Sequence, residues 1–268
     1  MLEEDFMKER YIDGYYKQLL DDFKEAVLKH NTSIVIIIDG KSGKGKTTLS
    51  NQTGDYLSDN FNLGDIHYEP EGFLKRLAKA KKGDYISFDE AMILSSRSAM
   101  STINKMIIQA MAMIRSKNIY VSFCVNSIFD LDKNLVLSRA DALLHVYGEG
   151  LVDRGRFAAF FKARGDQFDR LKFLYLYGKK FYSYSKPKAN FIGKFVKDFV
   201  VNEVDYEAQK KKFIDEFLTQ QVKGKRQKSY EGLIHTLINS EGFKVKRVAE
   251  MAHVSTQTIR NIIFKYEN

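Results

Sequence analysis

Residues Gly40 to Thr47 read GKSGKGKT, which fits GxxxxGK[ST] in one frame only. The run before it, SIVIIID, is β-branched and continuously apolar rather than alternating. That pattern suits a strand buried on both faces, as in a parallel sheet. The residues after it, KTTLSNQTGDYLSDN, open a helix, so the loop sits between a strand and a helix, as a phosphate-cradling loop requires. Glycines at Gly40, Gly43 and Gly45 let the backbone curl until successive amides point one way, and the helix N-terminus adds partial positive charge there. Lys44, Lys46, Thr47 and Thr48 complete the expected nucleotide-binding set. Lys46 is placed to bridge the β- and γ-phosphates of ATP and Thr47 to put its hydroxyl on Mg²⁺. The plainer alternative is a Gly/Lys-rich turn arising by chance.

A second motif follows in the next clear strand. Residues 84–90, DYISFDE, end in paired carboxylates. Asp89 is the expected Mg²⁺ ligand, and Glu90 is the expected base that polarises an attacking water. A solvated loop would also carry such a pair. An enzyme that hands phosphate to a small acceptor must keep water inactive, whereas a carboxylate beside the metal ligand activates it, so Glu90 favours hydrolysis.

Further strands are expected at 118–126 and 142–148, with helices over 5–30 and 99–115. Strands alternating with helices predict an α/β fold, a P-loop NTPase parallel sheet with helices on both faces. Beyond residue 150, RFAAFFKA and FLYLYGKKFYSYS read as two strands that extend the sheet in antiparallel fashion. The expected organisation is an ATPase domain over 1–185, a basic helical linker over 186–228 ending in KGKRQK, and a small all-α domain over 229–268.

The segment from Ile114 to Ser127, IRSKNIYVSFCVNS, and the following IFDLDKNLVLSRADALLHV resemble the corresponding stretch of the HerA/FtsK superfamily of P-loop ATPases. They also resemble the zonula occludens toxin-like ATPases of filamentous phages. The likeness covers roughly residues 33–148. It implies a polar sensor at Asn126, where the family usually has Gln, and a homo-oligomeric ring that moves DNA. It also implies an arginine supplied by the neighbouring subunit. Arg139 and Arg115 are the first candidates, from their place beside strand ends, and Arg97 is another. Arg154 and Arg156 offer a different reading, the paired arginines of a kinase lid.

The net charge is +9, which favours a polyanionic partner, nucleic acid or an anionic membrane surface. The longest purely apolar run, Ile34 to Ile38, is far short of the roughly 20 residues that span a bilayer, so no membrane-spanning segment is expected. The N-terminal MLEEDFMKER lacks the apolar core of a signal peptide. The single cysteine, Cys124, has no disulfide partner and sits in a predicted strand as an inert core residue; the expected location is cytoplasmic. His30, His67, His145, His235 and His253 show no metal-ligand spacing. Met100, Met106, Met111 and Met113 read as packing.

The tail carries VAEMAHVSTQTIRNII. Val245, Val248 and Ala249 form an expected inner helix face, Ser255 can cap the next helix, and Ile259, Ile262 and Ile263 turn inward. The stretch resembles the helix-turn-helix of resolvases and repressors, with Ala252 where Gly is usual. That resemblance implies double-stranded DNA as partner, with Ser255, Thr256, Gln257, Arg260 and Asn261 facing the major groove. Lys244, Lys246 and Arg247 would then meet phosphates. A three-helix bundle for protein contacts is the alternative. Together these features predict a Mg²⁺-dependent, ATP-hydrolysing, DNA-associated motor, a translocase or packaging or extrusion ATPase of a virus or mobile element. An ATP-controlled DNA-binding switch and a small-molecule kinase with a DNA-binding tail are the alternatives. No clustered carboxylates of a nuclease follow the ATPase core.

Overall fold

A computed structural model describes residues 11–89, 101–149, 153–222 and 226–267. Its centre is a seven-stranded sheet in the order β2-β3-β4-β1-β5-β6-β7. The strands are β1 (Ile34–Asp39), β2 (Ile66–His67), β3 (Tyr85–Phe88), β4 (Tyr120–Val125), β5 (Ala142–Tyr147), β6 (Arg156–Phe161) and β7 (Phe191–Lys194). The first five are parallel, and β6 and β7 add antiparallel pairings. The mixed α/β class with a mainly parallel sheet is therefore the observed one. β4 is inserted between β1 and β3. The C-terminal ends of β1, β3, β4 and β5 all lie at one edge, and the crevice sits there beside the ends of β1, β3 and β4, the usual side for a ligand in such sheets.

The unbroken apolarity of β1 has a direct cause: every one of its residues is buried. Ile34, Ile36 and Ile38 enter one core with α1 (Gly14–Lys29) and α2 (Lys46–Leu57). Val35 and Ile37 enter the opposite core with α3 (Pro70–Lys79), α4 (Ser101–Met113) and α5 (Lys133–Ser138). Each such side chain contributes about 1.5–3 kcal/mol of burial. α1 begins at Asp13, whose carboxylate accepts the amides of Tyr15 and Tyr16, and it buries Tyr16, Leu19, Leu20, Phe23 and Val27. Tyr15 and Leu28 are exposed, and Tyr16 takes the inward place. Residues 5–10 of the expected first helix lie outside the described residues.

α2 meets the sheet through hydroxyls as well as through Leu49 and Leu57. Ser50 lies 3.0 Å from the hydroxyls of Tyr85, Ser87 and Ser122, and the Tyr16 hydroxyl lies 2.5 Å from that of Thr53. These groups are buried and satisfied in place, so the seam costs little.

The second expected strand of the extension, within 173–185, is helical instead. α6 (Arg170–Phe173), a π-helical turn (Leu174–Gly178) and α7 (Lys179–Phe181) run continuously, and β6 pairs with β7 further on. The buried residues are Leu171, Leu174, Tyr175 and Gly178, at helical spacing. The outward face also carries Phe173, Leu176, Tyr177 and Phe181, so apolar residues on both faces hide the helical period.

α8 (Glu203–Val222) occupies the Lys-rich segment, and α9 (Arg226–His235), α10 (Val245–Ala252) and α11 (Thr256–Glu267) follow. Lys223, Gly224 and Lys225 of KGKRQK lie outside the described residues. Leu237, Phe243 and Met251 pack with Leu74, Leu77, Ala110 and Met113, so the last helices share a core with α3 and α4. Val248, Ala249, Ile259 and Ile262 are buried. Met106 and Met111 are buried in the same core.

Asp39 ends β1 with no exposure. Its carboxylate accepts the Ile128 amide at 2.8 Å, the His145 Nδ1–H at 2.7 Å and the Tyr184 hydroxyl, whose ring stacks on His145. Burial and the Asp39 charge hold the Tyr184 hydroxyl well above the usual phenol range. Replacing Asp39 with Ala strands these buried donors and is expected to lower unfolding free energy by about 3 kcal/mol, read by urea denaturation.

Candidate functional site

The loop after β1 is built on positive-φ glycines. Gly40 has φ +139°, and a Cβ there would stand 2.1 Å from the Val146 carbonyl oxygen. Only glycine fits that approach. Gly45, at φ +98°, caps α2 in the left-handed region, so the first amides of α2 face the loop's hollow. Lys46 folds back over this hollow. Its Nζ donates to the carbonyls of Gly40 at 2.8 Å and Lys41 at 3.2 Å and to Asn126 Oδ1 at 3.1 Å. The loop lysine and the residue after β4 are thereby brought together.

Thr47 Oγ1 donates to the Asp89 carboxylate, 3.1 and 3.0 Å from its two oxygens. Asp89 is 2% exposed, and its amide donates to the His67 carbonyl. A buried carboxylate beside a threonine hydroxyl is a hard-oxygen donor pair that suits Mg²⁺. The opposite side of Asp89 is met by α8, which the sequence reading did not connect to this site. The Tyr206 hydroxyl donates to Asp89 Oδ2 at 3.0 Å, and Lys210 Nζ lies 3.7 Å from the same oxygen. Burial and the Asp89 charge push the Tyr206 hydroxyl far above its ordinary range, which keeps it a donor. No local signal marks Tyr206 or Lys210, because their relation to Asp89 spans more than a hundred residues.

The cleft encloses about 180 Å³ and is lined by Ser42, Gly43, Gly45, Lys46, Thr47, Thr48, Asp89, Asn126, Arg154, Phe199, Tyr206 and Lys210, among others. Lys44 points elsewhere: it is buried and donates to the Asp153 carbonyl at 3.1 Å. Arg115 and Arg139 are exposed and precede β4 and β5. They sit at the edge opposite the loop, where Ser33 donates to the Ile114 carbonyl and the Asp141 amide to the Val35 carbonyl. Arg154, not either of these, lines the chain's own cleft. Glu90, Arg97 and Met100 lie outside the described residues.

Far from the cleft, α10 and α11 are joined by a three-residue turn through His253, in the left-handed region. Ser255 Oγ accepts the Thr258 amide at 3.0 Å, the expected cap. Ser255, Thr256, Gln257, Arg260 and Asn261 are all exposed, as are Lys244, Lys246 and Arg247. Gln257 Nε2 donates to Asn261 Oδ1 at 3.0 Å. The Arg247 guanidinium lies against Met113 Sδ and Glu250.

Cys124 borders the cleft from beneath and is fully buried, and burial together with the Asp89 charge holds its thiol well above the ordinary range. The native protein is expected to be inert to a disulfide reagent such as DTNB over an hour at pH 8, and to release one thiol equivalent in urea.

No family model and no curated protein matches the chain. Among solved structures, it is similar to the N-terminal domain of zonular occludens toxin from Neisseria meningitidis at 16% identity and TM-score 0.39, over 62% of this chain and 95% of that one. It is similar to the AAA domain of FIGL-1 in complex with ADP at 15% identity and TM-score 0.37, over 54% of this chain and 56% of that one. A third is the VirB11 ATPase of the Brucella suis type IV secretion system in complex with sulphate, at 16% identity and TM-score 0.32, over 55% of this chain and 52% of that one.

Proposed function

We propose that the chain is a Mg²⁺-dependent ATPase that works on double-stranded DNA as a homo-oligomeric ring, in translocation, packaging or extrusion for a virus or mobile element. The observation that carries this reading is the pair of contacts at one sheet edge, Lys46 with Asn126 and Thr47 with Asp89. They join the residues after β1, β3 and β4 around a glycine-lined hollow.

In this reading the amides of the loop and of the first turn of α2 bind the β-phosphate. Lys46 leaves its present carbonyl acceptors for the β- and γ-phosphate oxygens. Thr47 and Asp89 would hold Mg²⁺, which when bound neutralises charge on those oxygens. Asn126 orients a water against the γ-phosphate, and Glu90, next in chain to Asp89, takes its proton. Arg154 faces the phosphates in the same subunit. Arg115 or Arg139, on the opposite edge, would serve a neighbour's cleft. Residues 1–185 make the ATPase domain, whose sheet β7 of the following segment completes; the rest of 186–228 links it to 229–268, the DNA-contacting domain, where Gln257, Asn261 and Arg260 read base edges with Ser255 and Thr256 beside them. Lys246 and Arg247 hold phosphates.

A second reading, an ATP-controlled DNA-binding switch, has its own support. α8 touches Asp89 through Tyr206 and Lys210 and leads directly into the last helices.

Hydrolysis measured with and without long duplex DNA separates the two. A motor is stimulated about tenfold or more by long duplex, and both Lys46→Ala and Glu90→Gln lose about 10²-fold or more in rate. Slow turnover indifferent to DNA supports the switch, and a γ-phosphate retained on a small acceptor would show a kinase. At Asp89, Lys210 and a divalent ion compete for one carboxylate. Lys210→Met is therefore expected to lower the Mg²⁺ needed for half-maximal hydrolysis about fivefold, the worth of a unit charge near 4 Å in water.

A further inference from the structure

The outward face of the α6–α7 segment is unusual for a protein surface. Phe173 is 39% exposed, Leu176 58%, Tyr177 40% and Phe181 57%, with Phe168 at 42% just before them. The rings form an unbroken row. Phe168 and Phe173 have centroids 5.2 Å apart, Phe173 and Tyr177 5.5 Å with an interplanar angle of 14°, and Tyr177 and Phe181 5.2 Å. Single exposed apolar residues are ordinary, but a contiguous row marks a contact surface.

The surroundings are basic. Residues 162–188 carry Lys162, Arg164, Arg170, Lys172, Lys179, Lys180, Lys186 and Lys188 against only Asp166 and Asp169. Those two carboxylates already face Arg170 and Lys172, and no acidic residue occurs from 170 to 188. Arg170 lies over the Phe168 ring and Lys180 over the Phe181 ring.

We infer that this ridge is a binding platform for single-stranded nucleic acid. Alternating ring faces and cations match what an unpaired strand offers, base faces to stack and phosphates to neutralise. A duplex keeps its base faces stacked inside and has none to give a projecting ring. A second copy presenting the same ridge would bring lysines against lysines. An anionic membrane shares the charge match. A membrane-seated face spreads its Leu, Phe and Trp side chains separately into the acyl boundary, whereas here Phe173 and Tyr177 stack on each other, Phe168 and Phe181 pack at either end, and cations lie over the two end rings. The row accommodates about four nucleotides, the low end for such platforms. Binding here is independent of the nucleotide cleft and of α11, so it does not rest on the ATPase reading.

The test is fluorescence anisotropy of a labelled 12-nucleotide oligothymidylate titrated with the full chain at 50 and 200 mM salt. A labelled 12-bp duplex is run in parallel, with circular dichroism as the fold control. The triple variant Phe173→Ala, Tyr177→Ala, Phe181→Ala is expected to bind the single strand at least about tenfold more weakly, with duplex binding unchanged. Tyr177→Phe, which keeps the ring, retains binding. Lys172→Gln with Lys180→Gln flattens the salt dependence. The inference is overturned if the folded triple variant binds the oligothymidylate within twofold of the parent, or if the parent does not bind it. It is overturned equally if the triple variant loses only binding to phosphatidylserine vesicles, or only self-association in sedimentation, while single-strand affinity holds.

Discussion

A carboxylate with no access to water sits at the end of the central strand, and the geometry of the glycine-rich loop's edge depends on it. Asp39 follows five buried aliphatic residues and precedes Gly40, the first residue of the loop. A buried charge is tolerable only if its lone pairs are met. Here they are met from separate parts of the chain: the turn after β4 through the Ile128 amide, β5 through His145, and the strap before β7 through Tyr184. One carboxylate therefore holds the start of the glycine-rich loop, the segment just past Asn126 and the neighbouring strand in one arrangement. The stacking of Tyr184 on His145 closes the site from the solvent side and keeps the carboxylate dry.

The edge that Asp39 organises is rich in cations. The described residues lining the cleft include three cations, Lys46, Arg154 and Lys210, and one carboxylate, Asp89. Lys46 is held by two backbone carbonyls and a side-chain amide oxygen. α8 brings a long-range contribution, a tyrosine hydroxyl and an ammonium on Asp89. It comes from the part of the chain that continues into the last helices, and those helices share a hydrophobic core with α3 and α4.

Short-range patterns were legible where one physical cause acted alone. The continuous apolarity of β1 translated into burial on both faces. The glycine spacing of the loop translated into three positive φ angles, because no other residue takes those conformations cheaply. Ser255 capped its helix as its position suggested. Legibility failed where two causes overlapped. The segment 173–185 carries apolar residues on its buried and its exposed face, so its helical period looked like a strand. α2 buries Ser50 and Thr53, so it shows little amphipathic pattern although it lies against the sheet.

The sequence by itself determined the strand–loop–helix around Gly40 to Thr47, the alternation that makes a parallel sheet, and the polar face of the last helix. Each rests on interactions within a few residues or on a simple periodicity. The tertiary structure alone decided which distant groups share a site: Asp39 with His145 and Tyr184, Asp89 with Tyr206 and Lys210, and Arg154 rather than Arg115 or Arg139 at the chain's own cleft. Those meetings depend on strand order and on the direction in which each strand runs. Arg115 and Arg139 stand at strand ends as their sequence suggests, but at the N-terminal ends. In a parallel sheet that is the edge away from the glycine-rich loop after β1. Local chemistry names the groups, and only the path of the chain through space says which of them meet.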